Sequence, residues 1–221
     1  MDARLIDHTL LKPEATPEGI AKLCAEAREY GFATVCVAPT EVARCAELLK
    51  GSSVGVCTVI GFPTGRHLPE IKLAEAKCAV RDGATELDFV VNQARLHEAI
   101  HGGETSRAAW IRTWKGLLDD VRASASHRLT TKLIIECCYL TDAEKRAAVE
   151  LTIAAGFDFV KTSTGFGPGG ATLADIELMV SAAAGRIGVK AAGGIRTKDF
   201  AEALVAAGAT RIGASASLQL L

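Results

Sequence analysis

Apolar runs alternate with helix-forming segments along the whole chain, and four of the joints between them carry a glycine in the same place. These joints read Tyr30-Gly31-Phe32, Asp82-Gly83-Ala84, Ala155-Gly156-Phe157 and Ala207-Gly208-Ala209. Glycine adopts the left-handed backbone conformation that ends many helices, so helix, glycine and strand in this order are typical of repeated βα units. Such repeats predict a parallel sheet covered by helices.

Eight strands are predicted in this way: Leu5–His8, Thr34–Ala38, Val54–Ile60, Glu86–Val91, Lys132–Glu136, Phe157–Val160, Ile187–Ala191 and Thr210–Gly213. Helices are expected at about residues 17–30, 40–50, 68–81, 104–123, 141–155, 173–184 and 197–207, with a polar segment before the fourth. Eight strands in 221 residues predict α/β architecture, a (β/α)8 TIM barrel that forms a single domain over residues 1–221. A doubly wound open sheet is the alternative.

Charge and composition exclude several classes of partner. The formal net charge of −1 predicts no binding to nucleic acid or to anionic membranes. No apolar run approaches the roughly 18 residues needed to span a bilayer, and the N-terminus lacks a signal-peptide pattern. The seven cysteines form no C-x-x-C pair, so we expect buried thiols in a reducing, cytoplasmic setting.

Three lysines stand in apolar strands at equal intervals: Lys132, Lys161 and Lys190. Active sites of barrels lie at the carboxyl ends of the strands, and neighbouring strands are about 4.8 Å apart, so the three amines are expected to converge in register. A lone strand lysine is usually a structural or partly solvated group. Three together favour a functional site, because like charges disfavour protonation and a neutral amine can form a Schiff base.

Other polar residues at predicted strand ends are Asp7, Cys36, Asp88, Asn92, Glu136, Thr162 and Ser215. Asp88 is flanked by Leu87 and Phe89, and a buried carboxylate must be paired. A lysine is the expected partner. Asp88 is then either a structural ion pair or part of a proton shuttle with Lys190, and both interpretations remain open.

The segment Val160–Thr172 joins Lys161 to a glycine-rich turn and a helix that Thr172 caps, with Asp175 in capping-box position. Backbone N–H groups of such a turn can hold a phosphate. The same glycines match G-x-G-x-x-G, but no acidic residue follows about 20 residues later, which argues against a dinucleotide site. Ala171 stands where a Walker motif requires lysine.

A second motif, His97-Glu98-Ala99-Ile100-His101, matches H-E-x-x-H. Gly102-Gly103 follows at once, and the residues before it do not read as a packed apolar helix. We therefore interpret the match as a chance pattern on a surface segment and expect no metal.

The chain resembles the deoxyribose-phosphate aldolase family of class I aldolases, (β/α)8 enzymes that need no metal or organic cofactor. The resemblance rests on these stretches: 6–13, 59–63, 86–92, 132–136, 160–172, 189–197 and 213–215. It implies reversible cleavage of 2-deoxyribose 5-phosphate to glyceraldehyde 3-phosphate and acetaldehyde, and a possible homodimer. It also implies catalytic roles for Lys161 as the Schiff-base nucleophile, with Lys190 and Asp88. The implied substrate and phosphate contacts are Asp7, Thr9, Thr164, Gly165, Gly193, Gly194 and Ser215.

Three positions depart from the family pattern. Phe166 stands where some members have lysine, and Ala216 where a second serine is frequent. Some members carry a C-terminal tyrosine that assists proton transfer, but the two tyrosines here are Tyr30 and Tyr139, and neither is terminal. Proton transfer is therefore expected to depend on Asp88, Lys190 and water. The alternatives are another lysine-dependent phosphosugar aldolase and a non-catalytic phosphosugar-binding barrel, although a mere binder has no need of both Lys161 and Lys190.

Overall fold

The computed structural model describes residues 1–221, and its eight strands close into a barrel in which each strand is parallel to both neighbours. The strands are β1 (Ile6–Leu10), β2 (Thr34–Val37), β3 (Gly55–Ile60), β4 (Glu86–Val90), β5 (Thr130–Ile134), β6 (Phe159–Lys161), β7 (Gly188–Ala192) and β8 (Arg211–Ala214). Pairing of β1 with β8 closes the sheet. The barrel prediction is confirmed, and the open doubly wound alternative is wrong.

Eight α-helices cover the barrel: α1 (Pro17–Tyr30), α2 (Val42–Leu48), α3 (Pro69–Arg81), α4 (Gln93–His101), α5 (Gly103–Ala123), α6 (Asp142–Ala155), α7 (Leu173–Ala183) and α8 (Lys198–Ala206). Two of them follow β4, and a 3₁₀ turn, Ser217–Leu220, follows β8. The polar segment expected before α5 forms a helix of its own, α4, which the sequence pattern did not predict. Asn92 begins α4 there by accepting a hydrogen bond from the Arg95 N–H.

Side-chain caps set most of the other helix starts. At α6 the hydroxyl of Thr141 and the carboxylate of Glu144 form a reciprocal capping box. At α7 the Thr172 hydroxyl accepts from the Asp175 N–H. The Asp175 carboxylate lies 2.6 Å from the Lys145 amine, so the capping box predicted there is only half formed. Gly31 and Gly156 end α1 and α6 in the left-handed conformation, as the repeated joints predict.

The apolar core lies mainly outside the barrel. A cluster of 52 buried residues fills the space between the outward face of the strands and the helices. Inside the barrel the apolar cluster is small and comprises Cys36, Cys57 and Val59. Alternation along each strand separates the two faces, so the inward face is free to hold polar side chains.

All seven cysteines are free thiols, but Cys78 and Cys138 are exposed, which corrects the expectation of uniformly buried cysteines. None of the helices combines the length and the apolar character that crossing a bilayer demands.

Candidate active site

Seven charged side chains from the inward face of the barrel form one ionic network. They are Asp7, Glu86, Asp88, Lys132, Lys161, Lys190 and Arg211. The arginine is half-buried and the others are buried. Charged groups at such depth are tolerated only when they are paired, and each member of this network has at least one partner of opposite charge.

Asp88 lies at the centre of the network. Its Oδ2 atom accepts from the amines of Lys161 and Lys190, both at 2.7 Å. Its Oδ1 atom accepts from the Lys132 amine at 2.8 Å and from the Cys57 thiol at 3.3 Å. The predicted lysine partner of Asp88 is therefore confirmed, and the carboxylate has three such partners rather than one.

Asp7 lies below the barrel mouth, fully buried, with both carboxylate oxygens occupied. Oδ2 accepts from Lys190 at 2.5 Å, and Oδ1 accepts from Arg211 at 2.6 Å and from the Thr34 hydroxyl at 2.8 Å. In this arrangement Asp7 positions Lys190. Its predicted contact with substrate stays a prediction.

Lys132 differs from the other two lysines in position. Lys161 and Lys190 are register partners on β6 and β7, but Lys132 pairs with Phe159, two residues before Lys161. The expectation that all three are in register was wrong, because the strands of a barrel are staggered. The Lys132 amine lies 2.5 Å from Glu86, 2.8 Å from Asp88 and 3.9 Å from Asp7, so it is a buried counter-ion of three carboxylates.

Glu86 and Arg211 were not among the predicted site residues. Their carboxylate and guanidinium groups are 2.9 Å apart. Glu86 lies two residues before the predicted site residue Asp88, and Arg211 lies four residues before the predicted site residue Ser215. An even spacing places both residues of each pair on the same side of an extended chain. Strand periodicity is the signal that could have identified both.

Coulombic interactions overcome burial throughout the network. Burial by itself would raise the pKa of Asp88, but the ammonium groups of Lys132, Lys161 and Lys190 hold that pKa well below its ordinary value. Burial by itself would lower the pKa of Lys190, but the carboxylates of Asp7 and Asp88 raise it. Lys132 follows the same rule, and Asp88 raises its pKa well above the ordinary value. Lys132 and Lys190 are thus held as ammonium ions.

These shifts predict acid-sensitive stability. An aspartate with a lowered folded-state pKa stabilises the fold above its unfolded pKa of about 3.9, and that contribution disappears as pH falls through the folded value. We expect the free energy of unfolding in urea to fall steeply below about pH 4. Asp88→Asn should flatten this dependence at a lower overall stability. An equal slope in the two proteins would contradict the assignment of the slope to Asp88.

The raised pKa values of Lys132 and Lys190 act at the other end of the pH range. Their contribution is fully present below the unfolded lysine pKa of about 10.4 and is lost only as pH rises through the folded values. The network therefore favours the folded state from weakly acidic pH to at least about pH 10.

Among the three lysines, only Lys161 retains exposed side-chain surface. Its side chain is 4% exposed, whereas those of Lys132 and Lys190 are 0% exposed. Lys161 is the last residue of β6, at the carboxyl end of the barrel. A molecule entering from that end meets the amine of Lys161 and not the other two.

A cradle of backbone amides lies beside Lys161. The N–H groups of Gly165, Gly193, Gly194 and Ser215 donate to no group of the protein. Gly165 and Gly193 pack closely, since a Cβ built on Gly165 would lie 3.7 Å from the Cα of Gly193. These residues belong to the loops after β6, β7 and β8, the usual location of a phosphate site in barrels. The structure therefore brings Gly165 and Gly193 together, with Gly194 next to Gly193 in the β7 loop and Ser215 directly after the neighbouring strand β8.

Glu136 holds the β6 loop and was not assigned a role from the sequence. It is buried, with a left-handed backbone (φ 53°, ψ 72°) that is uncommon for a residue other than glycine. Its carboxylate accepts from the Thr164 hydroxyl at 2.5 Å and from the Thr164 N–H at 3.1 Å. Thr164, a predicted site residue, is therefore oriented by Glu136. A left-handed backbone at a residue other than glycine persists only where the surrounding contacts hold it.

Ser163 is a second residue that the sequence did not reveal. Its hydroxyl is fully buried and has no hydrogen-bond partner in the protein. Its Cβ lies 3.4 Å from a Cβ built on Gly193, next to the amide cradle. Ser163 lies two residues beyond Lys161, the last residue of β6, in the loop that follows the strand.

A cavity of about 470 Å³ opens at the same end of the barrel, lined in part by Glu136, Thr164, Phe166 and Tyr139. Phe166, which takes the place of a loop lysine, packs edge-on against Phe62 with ring centroids 5.1 Å apart. Tyr139 is 58% exposed at the cavity wall. The cavity thus offers room for a small polar molecule beside the loop that carries Thr164.

The remaining predicted residues lie around this centre. Thr9 donates its hydroxyl to the Asp7 carbonyl at 2.8 Å, and Thr162 donates to the Ala192 carbonyl at 3.0 Å. Cys36 is buried in the apolar cluster inside the barrel. Asn92 serves as the cap of α4. Thr162 and Asn92 therefore support neighbouring backbone.

Known proteins are similar to this chain in sequence and in architecture. The family model described as DeoC/LacD family aldolase matches residues 3–219. A deoxyribose-phosphate aldolase from Caldanaerobacter subterraneus subsp. tengcongensis is 49% identical over 99% of this chain and 91% of its own length. Deoxyribose-phosphate aldolase 1 from Bacillus licheniformis is 51% identical over 99% of this chain and 94% of its own length. A tetrameric deoxyribose phosphate aldolase from Aeropyrum pernix superposes with a TM-score of 0.87 at 34% identity, covering 99% of this chain and 88% of that one.

Proposed function

The chain belongs to the DeoC/LacD family of aldolases, and from this premise we propose that it cleaves 2-deoxyribose 5-phosphate reversibly to glyceraldehyde 3-phosphate and acetaldehyde. Curated relatives that are 49% and 51% identical to this chain carry the name deoxyribose-phosphate aldolase. The observation that carries the proposal is the exposure of Lys161, the one lysine of the network that a substrate can reach.

The charge balance of the network prepares Lys161 for nucleophilic attack. Four cationic groups face three carboxylates, one positive charge in excess. Lys190 contacts two carboxylates, whereas Lys161 contacts Asp88 alone and shares the same oxygen with Lys190. Release of a proton from Lys161 removes the excess positive charge and weakens only one ion pair, whereas release from Lys190 would weaken two. It leaves a free amine at the barrel mouth.

The reaction then proceeds through an imine. The Lys161 amine attacks C1 of the open-chain sugar, and loss of water gives a protonated imine. A base removes the proton of the C3 hydroxyl, the C2–C3 bond breaks, and its electron pair moves to the imine. Glyceraldehyde 3-phosphate leaves, and an enamine of acetaldehyde remains on Lys161. Protonation at C2 and hydrolysis release acetaldehyde and the free amine. The imine itself is the electron sink.

Proton transfers are assigned to Asp88, Lys190 and a water molecule. Lys190 is held as an ammonium ion by Asp7 and Asp88, so it can donate a hydrogen bond or a proton to an oxygen above Lys161. Asp88 contacts both amines and can move a proton between them. The partner at the other end of the substrate is the amide cradle, where Gly165, Gly193, Gly194 and Ser215 would hold the phosphate.

The proposal is tested by trapping the imine. Incubation with acetaldehyde and borohydride should add one ethyl group, which peptide mass spectrometry should locate on Lys161. Lys72 is the sharpest internal control, because it is a buried lysine whose pKa burial lowers to about 8. Labelling of Lys72 in place of Lys161, or no adduct, would overturn the assignment. The identity of the substrate is tested by incubating the protein with deoxyribose 5-phosphate and measuring the release of glyceraldehyde 3-phosphate in a coupled assay.

A further inference from the structure

The H-E-x-x-H segment is helical, and its two histidines meet a carboxylate from another helix. His97 and His101 lie on α4, one turn apart, so both rings project from the same side of the helix. Their ring centroids are 4.4 Å apart. Glu144 of α6 places Oε1 2.9 Å from Nε2 of His101 and 4.0 Å from Nε2 of His97. The three ligand atoms lie within 4.8 Å of one another.

These separations suit a small divalent ion. Metal–ligand distances of about 2.0–2.2 Å in tetrahedral geometry place neighbouring ligand atoms about 3.3 Å apart. The observed 2.9 and 4.0 Å bracket that value. Both imidazoles are more than half exposed, with side-chain exposures of 68% for His97 and 51% for His101. Small rotations of these rings are therefore sufficient to close the site, and solvent can fill a fourth position.

The carboxylate is held in place independently of the histidines. Oε2 of Glu144 accepts from the Thr141 N–H at 2.8 Å and from its hydroxyl at 2.7 Å, as part of the α6 capping box. Oε1 is consequently directed toward α4. A ligand fixed by a second interaction loses little conformational freedom when it binds a metal.

The arrangement is not that of a zinc peptidase. In such enzymes the glutamate of the motif acts as general base beside the ion. Here Glu98 is paired with Arg95 at 2.8 Å and is not part of the histidine cluster. The third ligand comes from another helix, so an ion would link α4 to α6.

We propose that His97, His101 and Glu144 form a surface site for a divalent transition-metal ion of the zinc class, which joins α4 to α6 outside the catalytic barrel. Two imidazoles and one carboxylate favour Zn²⁺, Co²⁺, Ni²⁺ or Cu²⁺ over Ca²⁺ and Mg²⁺, which prefer oxygen ligands alone. The role is structural, since the site lies apart from the lysine network. The proposal departs from the interpretation of the motif as a chance pattern and from the expectation of no metal, and the experiment below decides between them.

Binding is tested on the whole protein, freed of metal and titrated with Zn²⁺ by calorimetry. We expect one equivalent to bind and to raise the melting temperature. His97→Gln and His101→Gln should each weaken binding by at least about tenfold. Glu144→Gln should also weaken it, while its amide oxygen preserves the cap of α6. His67→Gln, a change at a histidine outside the cluster, should bind as the unmodified protein does.

Exposed thiols are the main competing ligands, and cobalt distinguishes them. The Co²⁺ complex of the proposed site should lack a sulfur-to-metal charge-transfer band, whereas binding by Cys78 or Cys138 would produce one. The proposal is overturned if no Zn²⁺ binds, if both histidine variants bind as tightly as the unmodified protein, or if the thiolate band accounts for the bound ion. Aldolase turnover of the histidine variants should be unchanged.

Discussion

Lys161→Ala should abolish turnover, with kcat reduced by about 10⁴-fold or more, as expected when a covalent nucleophile is removed. No other amine of the ionic network can take its place, because Lys132 and Lys190 are completely buried and paired with carboxylates. The measurement is the rate of glyceraldehyde 3-phosphate release from deoxyribose 5-phosphate, together with borohydride trapping of acetaldehyde. Both signals should disappear.

The variant should remain folded, which separates a chemical defect from a structural one. Removal of Lys161 leaves Asp88 in contact with Lys132 and Lys190, so no carboxylate becomes unpaired and one excess positive charge is lost. Lys72→Met is the matched control, since Lys72 is also a buried lysine but lies outside the ionic network. It should retain turnover. Activity in Lys161→Ala above a few per cent would rule out the Schiff-base mechanism at this residue.

Lys190→Met should slow imine formation and shift its pH dependence upward. The substitution leaves three cations facing three carboxylates, so the network no longer favours release of a proton from Lys161. We expect a loss of about 10²-fold or more in kcat, because a group that transfers protons is also removed.

Methionine replaces Lys190 because its side chain is linear, like that of lysine, and the space beside Gly213 is narrow. A Cβ built on Gly213 would lie 3.1 Å from Cε of Lys190, so a branched side chain is harder to accommodate than a linear one. Asp7 keeps Arg211 and Thr34 as partners after the change. The measurement is the pH profile of borohydride trapping with acetaldehyde. A lower rate with an unshifted profile would leave Lys190 with a positioning role only and contradict its effect on Lys161.

Much of the site could be predicted because strand alternation and repeated glycines are local signals. Lys161 and Lys190 meet as expected, since the adjacent parallel strands β6 and β7 pair these two positions. Asp88 comes from β4, which is adjacent to neither strand, and contacts both amines across the inside of the barrel. The register of Lys132 could not be predicted from its even spacing along the chain. The stagger between strands in a closed barrel depends on the strand number and tilt of the whole sheet.

Helix α4 was missed because its sequence is mostly polar. Only Leu96 and Ala99 are buried among its nine residues, so apolar periodicity was weak. The start signal was present in Asn92, which caps the helix. The contact of His101 with Glu144 joins residues 43 positions apart, and no local pattern encodes such a pair.

The order of residues was sufficient to predict the α/β barrel, which the structure confirms, and a lysine nucleophile, which stays a prediction. Its βα repeats permit little other than a parallel α/β fold, and a lysine at the end of an apolar strand beside a glycine turn indicates imine chemistry on an anionic substrate. Tertiary structure decided which lysine is accessible and how the charges balance. Burial, register and the sharing of Asp88 are properties of groups that meet across the barrel, and pairing energies between such groups depend on distances that the order of residues does not specify.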